Sequence, residues 1–327
     1  MSKSSIYTAF FILILIMKLG CTNLDTSKIC FGTLTTSKLQ RNFSKEKTAE
    51  LFLYGFNNGI NFFDTAELYD NYNALKLFLR EVPREKTVIS TKCYAYNIET
   101  AKKSLYKALE EMQTPYIDIF MLHEQESIHT IRGHFEAIEY FMKAKEKGLI
   151  KHFGISTHYI EGVNGALKTD EIEIIHPIVN KLGIGLRDGT NDRLFDSLQK
   201  AKMLNKTIFA MKPLGGGHLI GKNKEAISYV CNLPFVDAIA IGMQSKEEID
   251  KNVLFINENI DDNIAELSKK NRSIHIADWC IKCGKCAEKC GQNAMYLGEN
   301  KMQIDKNKCI YCGYCASVCP EFCIKVY

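Results

Sequence analysis

Proline is scarce in this chain, six residues in 327, and no low-complexity tract interrupts it, which excludes fibrous and disordered architectures. No block of lysine or arginine occurs. The formal charge of +4 is dispersed along the sequence, which argues against nucleic acid as a partner. No apolar run is long enough to cross a bilayer comfortably, so a membrane protein is not expected. The longest run, Ile6 to Met17, has the length of a signal-peptide core, and Leu19-Gly20-Cys21 hints at a lipoprotein cleavage site. Lys18 stands where an aliphatic residue is wanted there, and no twin arginine is available to export a folded cofactor protein. Residues 1–16 are therefore read as a start-site extension ahead of Met17, with a targeting segment as the alternative. Finally, no glycine-rich turn follows the first strand candidate, Ile29–Thr33, which tells against an open doubly wound sheet.

Cysteine is not scarce. Nine of the thirteen fall between Cys280 and Cys323, and their regular short spacing reads as metal ligation in a reducing compartment. Cys280, Cys283, Cys286 and Cys290 recur 29 residues later as Cys309, Cys312, Cys315 and Cys319. Each half reads C-x2-C-x2-C-x3-C, the run of bacterial dicluster ferredoxins, in which the fourth cysteine of each run serves the other cluster. One [4Fe–4S] cluster is therefore assigned to Cys280, Cys283, Cys286 and Cys319, and a second to Cys309, Cys312, Cys315 and Cys290. Gly284 and Gly313 occupy matching places, where a missing side chain lets backbone approach inorganic sulfur. Gly291 stands where proline usually follows the fourth cysteine; Pro320 keeps it. Cys323 is read as a packed small hydrophobe.

The preceding residues alternate β-rich runs with amphipathic stretches. Strand candidates are Ile29–Thr33, Ile60–Thr65, Thr87–Cys93, Asp118–His123, His152–Thr157, Ile172–Asn180, Thr207–Leu214 and Asp237–Met243. Helical patterns cover Lys45–Asn58, Ile98–Met112, Phe135–Lys147 and a closing helix around Lys246–Asn259. Eight βα units imply a (β/α)8 TIM barrel, followed by a small α+β ferredoxin-like domain. The expected division is a barrel over residues 17–260, a linker over 261–278 and the cluster module over 279–327.

Asp64, Lys92 and His123 fall at the C-terminal ends of strand candidates and Tyr69 just beyond one, on the rim where barrel active sites assemble. Carbonyl reduction leaves an alkoxide that needs a proton. Tyrosine, with an ordinary pKa of about 10, serves best if a cation lowers it. Lys92 is the candidate cation, Asp64 its anchor, and His123 the group that orients the carbonyl oxygen. Taken singly, each has a structural alternative: a buried ion pair, a rim aromatic, a core histidine.

The run Asn61 to Tyr69 (NFFDTAELY), Ser90-Thr91-Lys92, and Met121-Leu122-His123 resemble, in order and spacing, the signatures of the aldo/keto reductases. Leu19 to Leu24 and Phe31-Gly32-Thr33 are similar to that family's opening strands. The resemblance runs from about Met17 to Asn259. It implies that Asp64, Tyr69, Lys92 and His123 form a catalytic tetrad. It also implies nicotinamide binding: Ser156 and Thr157 at the carboxamide, Lys212, Leu214 and Gly216 at the pyrophosphate, and Gly242, Gln244, Ser245, Glu248 and Asn252 at the adenosine phosphate. Only Lys246 stands where relatives place an arginine for a 2′-phosphate, so NAD and NADP both remain candidates. Asp70 and Asn73 depart from the family around Tyr69.

The leading expectation is a cytoplasmic reductase of a small aldehyde, ketone or sugar-like carbonyl, with clusters trading single electrons with a partner such as a ferredoxin or flavoprotein. The alternatives are an electron-transfer subunit whose barrel docks a partner, and a redox sensor that binds nucleotide. No flavin-specific motif is visible to split a hydride into single electrons.

Overall fold

The computed structural model describes residues 16–256, 272–309, 311 and 313–327. Residues 1–15, most of the expected linker and Cys312 lie outside the described residues.

A short antiparallel hairpin, β1 (Ile16–Lys18) with β2 (Asp25–Ser27), opens the described chain. Eight strands then close a parallel barrel: β3 (Ile29–Gly32), β4 (Phe62–Asp64), β5 (Val88–Cys93), β6 (Ile117–Leu122), β7 (Ile150–Thr157), β8 (Ile174–Pro177), β9 (Thr207–Met211) and β10 (Ala238–Gly242), with β10 pairing back onto β3. All eight match strand candidates. The register aligns Gly32 with Asp64 and Asp64 with Ser90, which brings the ends of neighbouring strands to one rim.

The helices follow from local chemistry. In the helix Ile98–Met112, Asn97 accepts from the Thr100 backbone N–H while Thr100 caps in return, and Ala101, Leu105, Ala108 and Met112 make the buried stripe. Ser44 caps the helix Lys45–Asn57 in the same way, accepting from the Lys47 N–H. Its buried Phe52 packs edge-on against Phe31 and Phe63 of the barrel wall, with ring centroids 5.0 and 5.7 Å away.

A second core fills the barrel itself. Leu19 and Leu24, from the hairpin turn, meet Val88 and Ala238 from the first residues of β5 and β10, so the hairpin plugs the N-terminal mouth. At the other end the same core contains Ile178, Ile184, Met211 and Phe322. Phe322 belongs to the cysteine module. Its burial, worth about 1.5–3 kcal/mol, anchors that module on the catalytic rim.

The module consists of β11 (Ile274–Ile276) paired antiparallel with β14 (Ile324–Val326), the hairpin β12 (Met295–Leu297) with β13 (Met302–Ile304), and two short helices, Lys285–Lys289 and Tyr314–Ser317. β11 lies inside the stretch expected to be linker, so chain from Ser273 onward is built into the module: Ser273 and Tyr327 exchange backbone hydrogen bonds at 2.6 and 3.0 Å. Further polar contacts tie module to barrel. Tyr327 Oη donates to the Gln40 carbonyl at 2.8 Å, His218 Nδ1 meets the Gly313 carbonyl at 2.9 Å, and Arg187 binds the Pro320 carbonyl and the Glu321 carboxylate.

Candidate active site and cluster sites

At the end of β4 the Asp64 carboxylate is buried and faces β5, whose Lys92 is equally buried. The Lys92 ammonium donates to both Asp64 oxygens, at 2.8 and 2.7 Å, and to the Thr65 carbonyl at 2.6 Å. Ser90 Oγ donates to Asp64 Oδ1 at 3.0 Å. Burial alone would raise the Asp64 carboxyl, but Lys92 and the imidazole of His176 hold it below the usual carboxylate range.

Tyr69 ends a single 3-10 turn (Glu67–Tyr69) just past β4, and its ring centroid lies 5.3 Å from the Lys92 nitrogen. His123 directly follows β6, with its ring 6.0 Å from that of Tyr69 and stacked on Tyr94 at 4.7 Å. The four residues expected at the rim are thus assembled there. One expectation needs correction. All three ammonium protons of Lys92 are committed to Asp64 and Thr65, and the Tyr69 phenol is not lowered. Burial first, then Asp64, Glu124 and Tyr94, pushes it well above its ordinary value. The phenol is a proton-bearing acid throughout the neutral range. Burial, reinforced by the Lys92 charge, drives His123 down to about 3, so its imidazole is neutral.

A cleft of about 940 Å³ runs from Asp64 and Tyr69 past Gly216 to Glu248 and Asn252. Leu214, Lys212 and Gly242 line it as well. At the far end Ser245 Oγ accepts from the Glu248 N–H at 3.2 Å, and Gln244 donates through Nε2 to Glu248 Oε1 at 2.9 Å. Among the described residues the side-chain amide oxygens of Gln244, beside the cleft, and Asn252, in its lining, are buried with no partner. Unpaired buried acceptors cost stability unless a ligand supplies donors. They fit the amino and hydroxyl donors of an adenosine. This acceptor set suits the adenosine end of a dinucleotide, although Gln244, Ser245, Ser156 and Thr157 stand apart from the cleft lining: Ser156 Oγ accepts from the Glu124 N–H, and Thr157 Oγ1 is engaged with Tyr159.

Several site residues were not apparent from sequence. His176 in β8 sits with Nε2 3.6 Å from Asp64 Oδ2 and Nδ1 2.6 Å from the Phe209 carbonyl, and is buried beneath the tetrad. Its adjacency to Pro177 at a strand end was the available signal. Arg272, just ahead of the module, and Lys325, Val326 and Tyr327 within it form one wall of the cleft, and the Arg272 guanidinium pairs with Glu248 at 2.9 Å.

In the module, Cys280, Cys283, Cys286 and Cys319 line one cavity of about 280 Å³ together with Cys323. Four cysteines lining one cavity are the ligand type and number that a cuboidal cluster takes. Cys323 is buried as expected, and its sulfur also lies 3.3 Å from that of Cys319. Of the second set, Cys290, Cys309 and Cys315 are described. Cys290 Sγ accepts from the Ala294 N–H at 3.4 Å and Cys309 Sγ from the Tyr311 N–H at 3.3 Å. Gly284 and Gly313 both adopt positive φ, at 77° and 83°, each directly before a short helix.

Residues 28–226 match the aldo/keto reductase family, more than half of the chain. The chain belongs to that family. Residues 279–323 match the 4Fe-4S dicluster domain, so this is a family barrel fused to a ferredoxin-type module. Among curated relatives, L-galactose dehydrogenase of Arabidopsis thaliana is 23% identical over 73% of this chain and 87% of its own length. D-arabinose 1-dehydrogenase of Saccharomyces cerevisiae is 25% identical over 50% of this chain and 55% of its own. The holo form of an aldo-keto reductase from Bacillus halodurans superposes with a TM-score of 0.64 at 20% identity, covering 74% of this chain and 91% of that one. The protein is an oxidoreductase of the aldo/keto reductase type with an iron–sulfur module, and among the described residues no helix is long and apolar enough to cross a membrane.

Proposed function

We propose that the protein reduces a small carbonyl compound at the rim formed by Asp64, Tyr69, Lys92 and His123, using NADH or NADPH, while two clusters in the module exchange single electrons with a partner protein. The observation that carries this reading is the buried Lys92–Asp64 pair at one rim with Tyr69 and His123, both of which burial favours in their neutral forms. A nicotinamide in the cleft would supply hydride. The chain's own work is then to place and protonate the oxygen. Neutral His123 can hydrogen-bond a carbonyl oxygen without competing as an acid, and the Tyr69 hydroxyl can deliver the proton that the alkoxide needs. Lys92 and Asp64 fix the floor of the site, and His176 braces Asp64 from β8.

The adenosine end offers Gln244, Ser245, Glu248 and Asn252. Arg272 adds a guanidinium, but Glu248 matches its charge, so NADPH and NADH are both to be tested. Cluster ligation by Cys280, Cys283, Cys286 and Cys319, and by Cys290, Cys309, Cys312 and Cys315, would supply one-electron chemistry suited to a ferredoxin or flavoprotein partner. Thiolate-bound clusters and a nicotinamide supply support a cytoplasmic location. The test is anaerobic purification followed by mixing with NADPH or NADH and a panel of aldehydes, ketones and sugars. Carbonyl-dependent nucleotide oxidation is expected, and its absence with every carbonyl and both nucleotides would reject the assignment.

A further inference from the structure

Beside Tyr69 and His123 the rim carries two further lysines, Lys212, which the family resemblance gives to the pyrophosphate, and Lys325 of the module, to which it gives no role. Lys212 follows directly on β9 in a left-handed conformation, φ 58°, a strained setting for a side chain of this kind. Its ammonium approaches Nε2 of His158 at 2.6 Å. Lys325, from β14 of the module, donates to the Phe322 carbonyl and places its nitrogen 3.2 Å from the centroid of the Phe322 ring, with Lys212 Nζ 4.8 Å from the same centroid. Two cations from different domains therefore share one aromatic ring, and both line the cleft that holds Asp64 and Tyr69.

Neither cation is matched by a carboxylate of its own among the described residues. Glu124 accepts from Tyr94 at 2.7 Å and lies 3.7 Å from His158, and Glu321 is engaged by Arg187 at 3.2 Å. His158 adds no negative charge; burial and then the charges of Lys212 and Lys325 keep it neutral. Burial, opposed by Glu124 and aided by the charges of Lys92 and Arg187, lowers Lys212 to about 8, and burial, then the charge of Lys212, lowers Lys325 well below the ordinary lysine value. Two lysine nitrogens thus face the single carboxylate of Glu124 in a half-buried pocket next to the reacting centre, and an arriving anion would find two N–H donors there and favour their protonated forms.

We propose that Lys212 and Lys325 form, across the seam between barrel and module, a subsite for the carboxylate of the carbonyl substrate. The substrate is then a short oxo acid, not a neutral aldehyde or sugar, and the ferredoxin module helps to select it. This rests on the reductase reading for the role of the carbonyl, but the subsite itself is testable by binding alone. The probes are levulinate and its amide, levulinamide, which differ in charge and little in shape. Binding to the cluster-loaded full chain is measured anaerobically by calorimetry, with and without oxidised nicotinamide nucleotide. Levulinate is expected to bind about tenfold more tightly than levulinamide, as one charge-assisted contact would give. Lys325→Met should erase that preference and Lys325→Arg should keep it, while nucleotide affinity stays within about twofold. Equal affinities in the parent protein would overturn the proposal. So would a Lys325→Met variant that keeps the preference, or one that loses nucleotide instead, which would assign the lysines to the pyrophosphate. Levulinate that binds with the expected preference but is not reduced would count against the reductase reading and leave the subsite standing.

Discussion

Lys92 spends every proton of its ammonium on Asp64 and Thr65, and this divides the labour among the rim residues. Removing that cation would strand a buried carboxylate, a loss of about 3–5 kcal/mol in comparable pairs, so Lys92→Met should impair folding as well as turnover. Tyr69→Phe is the sharper probe because it deletes one hydroxyl from a half-buried ring. Carbonyl reduction should fall at least about a hundredfold with nucleotide affinity nearly intact, as measured by steady-state rates beside fluorescence titration. Retained turnover would remove Tyr69 from the role of acid. The neutral histidine gives a second, independent expectation. His123 has its folded pKa depressed to about 3, so the unfolded chain binds its proton first as pH falls below about 6.5. The contribution is fully present above that value and is lost progressively on the way down to the folded pKa. Between pH 6.5 and 5 the loss is about 2 kcal/mol for this one group. Denaturant unfolding of His123→Gln should therefore show a visibly shallower decline over that interval than the parent protein.

At the scale of elements, the contact between β14 and the glycine loop after β9 is the most exposed to test. Gly217 has φ 96°, and a Cβ there would lie 1.9 Å from the Val326 carbonyl oxygen. Gly148 has a similar backbone, φ 72°, with nothing within 4 Å of its imagined Cβ. Gly148→Ala should cost only the backbone strain, about 1 kcal/mol. Gly217→Ala should cost clearly more and should free the C-terminal strand, read out as faster trimming by a carboxypeptidase. Equal behaviour of the two variants would mean that β14 is not held on the loop. The same strand marks where sequence reading stops. The barrel strands were legible because β-branched runs such as Thr87–Cys93 recur between amphipathic stretches, of which Ile98–Met112 was legible to the residue. The rim positions of Asp64, Lys92 and His123 followed from those strand ends. The pairing of β11 with β14 spans some fifty residues of chain and carries no local signal, so Ile274–Ile276 read as linker. For the same reason Arg272, Phe322 and Lys325 were invisible as site residues: only the docking of one domain on another places them there. The high pKa of Tyr69 was hidden too, because it depends on where Lys92 sends its protons.

For the molecule as a whole, the segment from Cys319 to Val326 serves both domains. Cys319, Cys323 and Ile324 line the cluster cavity, while Phe322 enters the barrel core and Lys325 and Val326 line the cleft. Cluster and reductase site are thus neighbours through a single stretch of chain. Cutting the module away would uncover Ile178, Ile184 and Met211, so a loss of activity after truncation would not separate electron transfer from damage to the barrel. Metal content is the first whole-molecule test: anaerobically prepared protein should hold about eight iron and eight labile sulfide per chain. Stoichiometric zinc without sulfide would reject the cluster assignment.

Proximity does not make the two sites a circuit. A nicotinamide gives up two electrons together as hydride, whereas a [4Fe–4S] cluster accepts one at a time. Coupling them directly needs a group that takes the pair and releases it singly, commonly a flavin, and no flavin-specific motif is visible in the sequence. The cleft residues are accounted for otherwise: the tetrad at one end, an adenosine-type set of acceptors at the other, and the Lys212–Lys325 pair between barrel and module. The expected result is that NADPH or NADH alone leaves cluster absorbance unchanged in flavin-free protein, while dithionite bleaches it. Stopped-flow mixing under anaerobic conditions distinguishes the cases within one trace. Rapid, stoichiometric bleaching by nicotinamide without substrate or partner would overturn the uncoupled scheme and would show that hydride reaches the clusters by a route internal to this chain. If bleaching appears only after a reduced ferredoxin or a flavoprotein is added, the module is the port for an external one-electron partner, and the barrel draws its hydride separately.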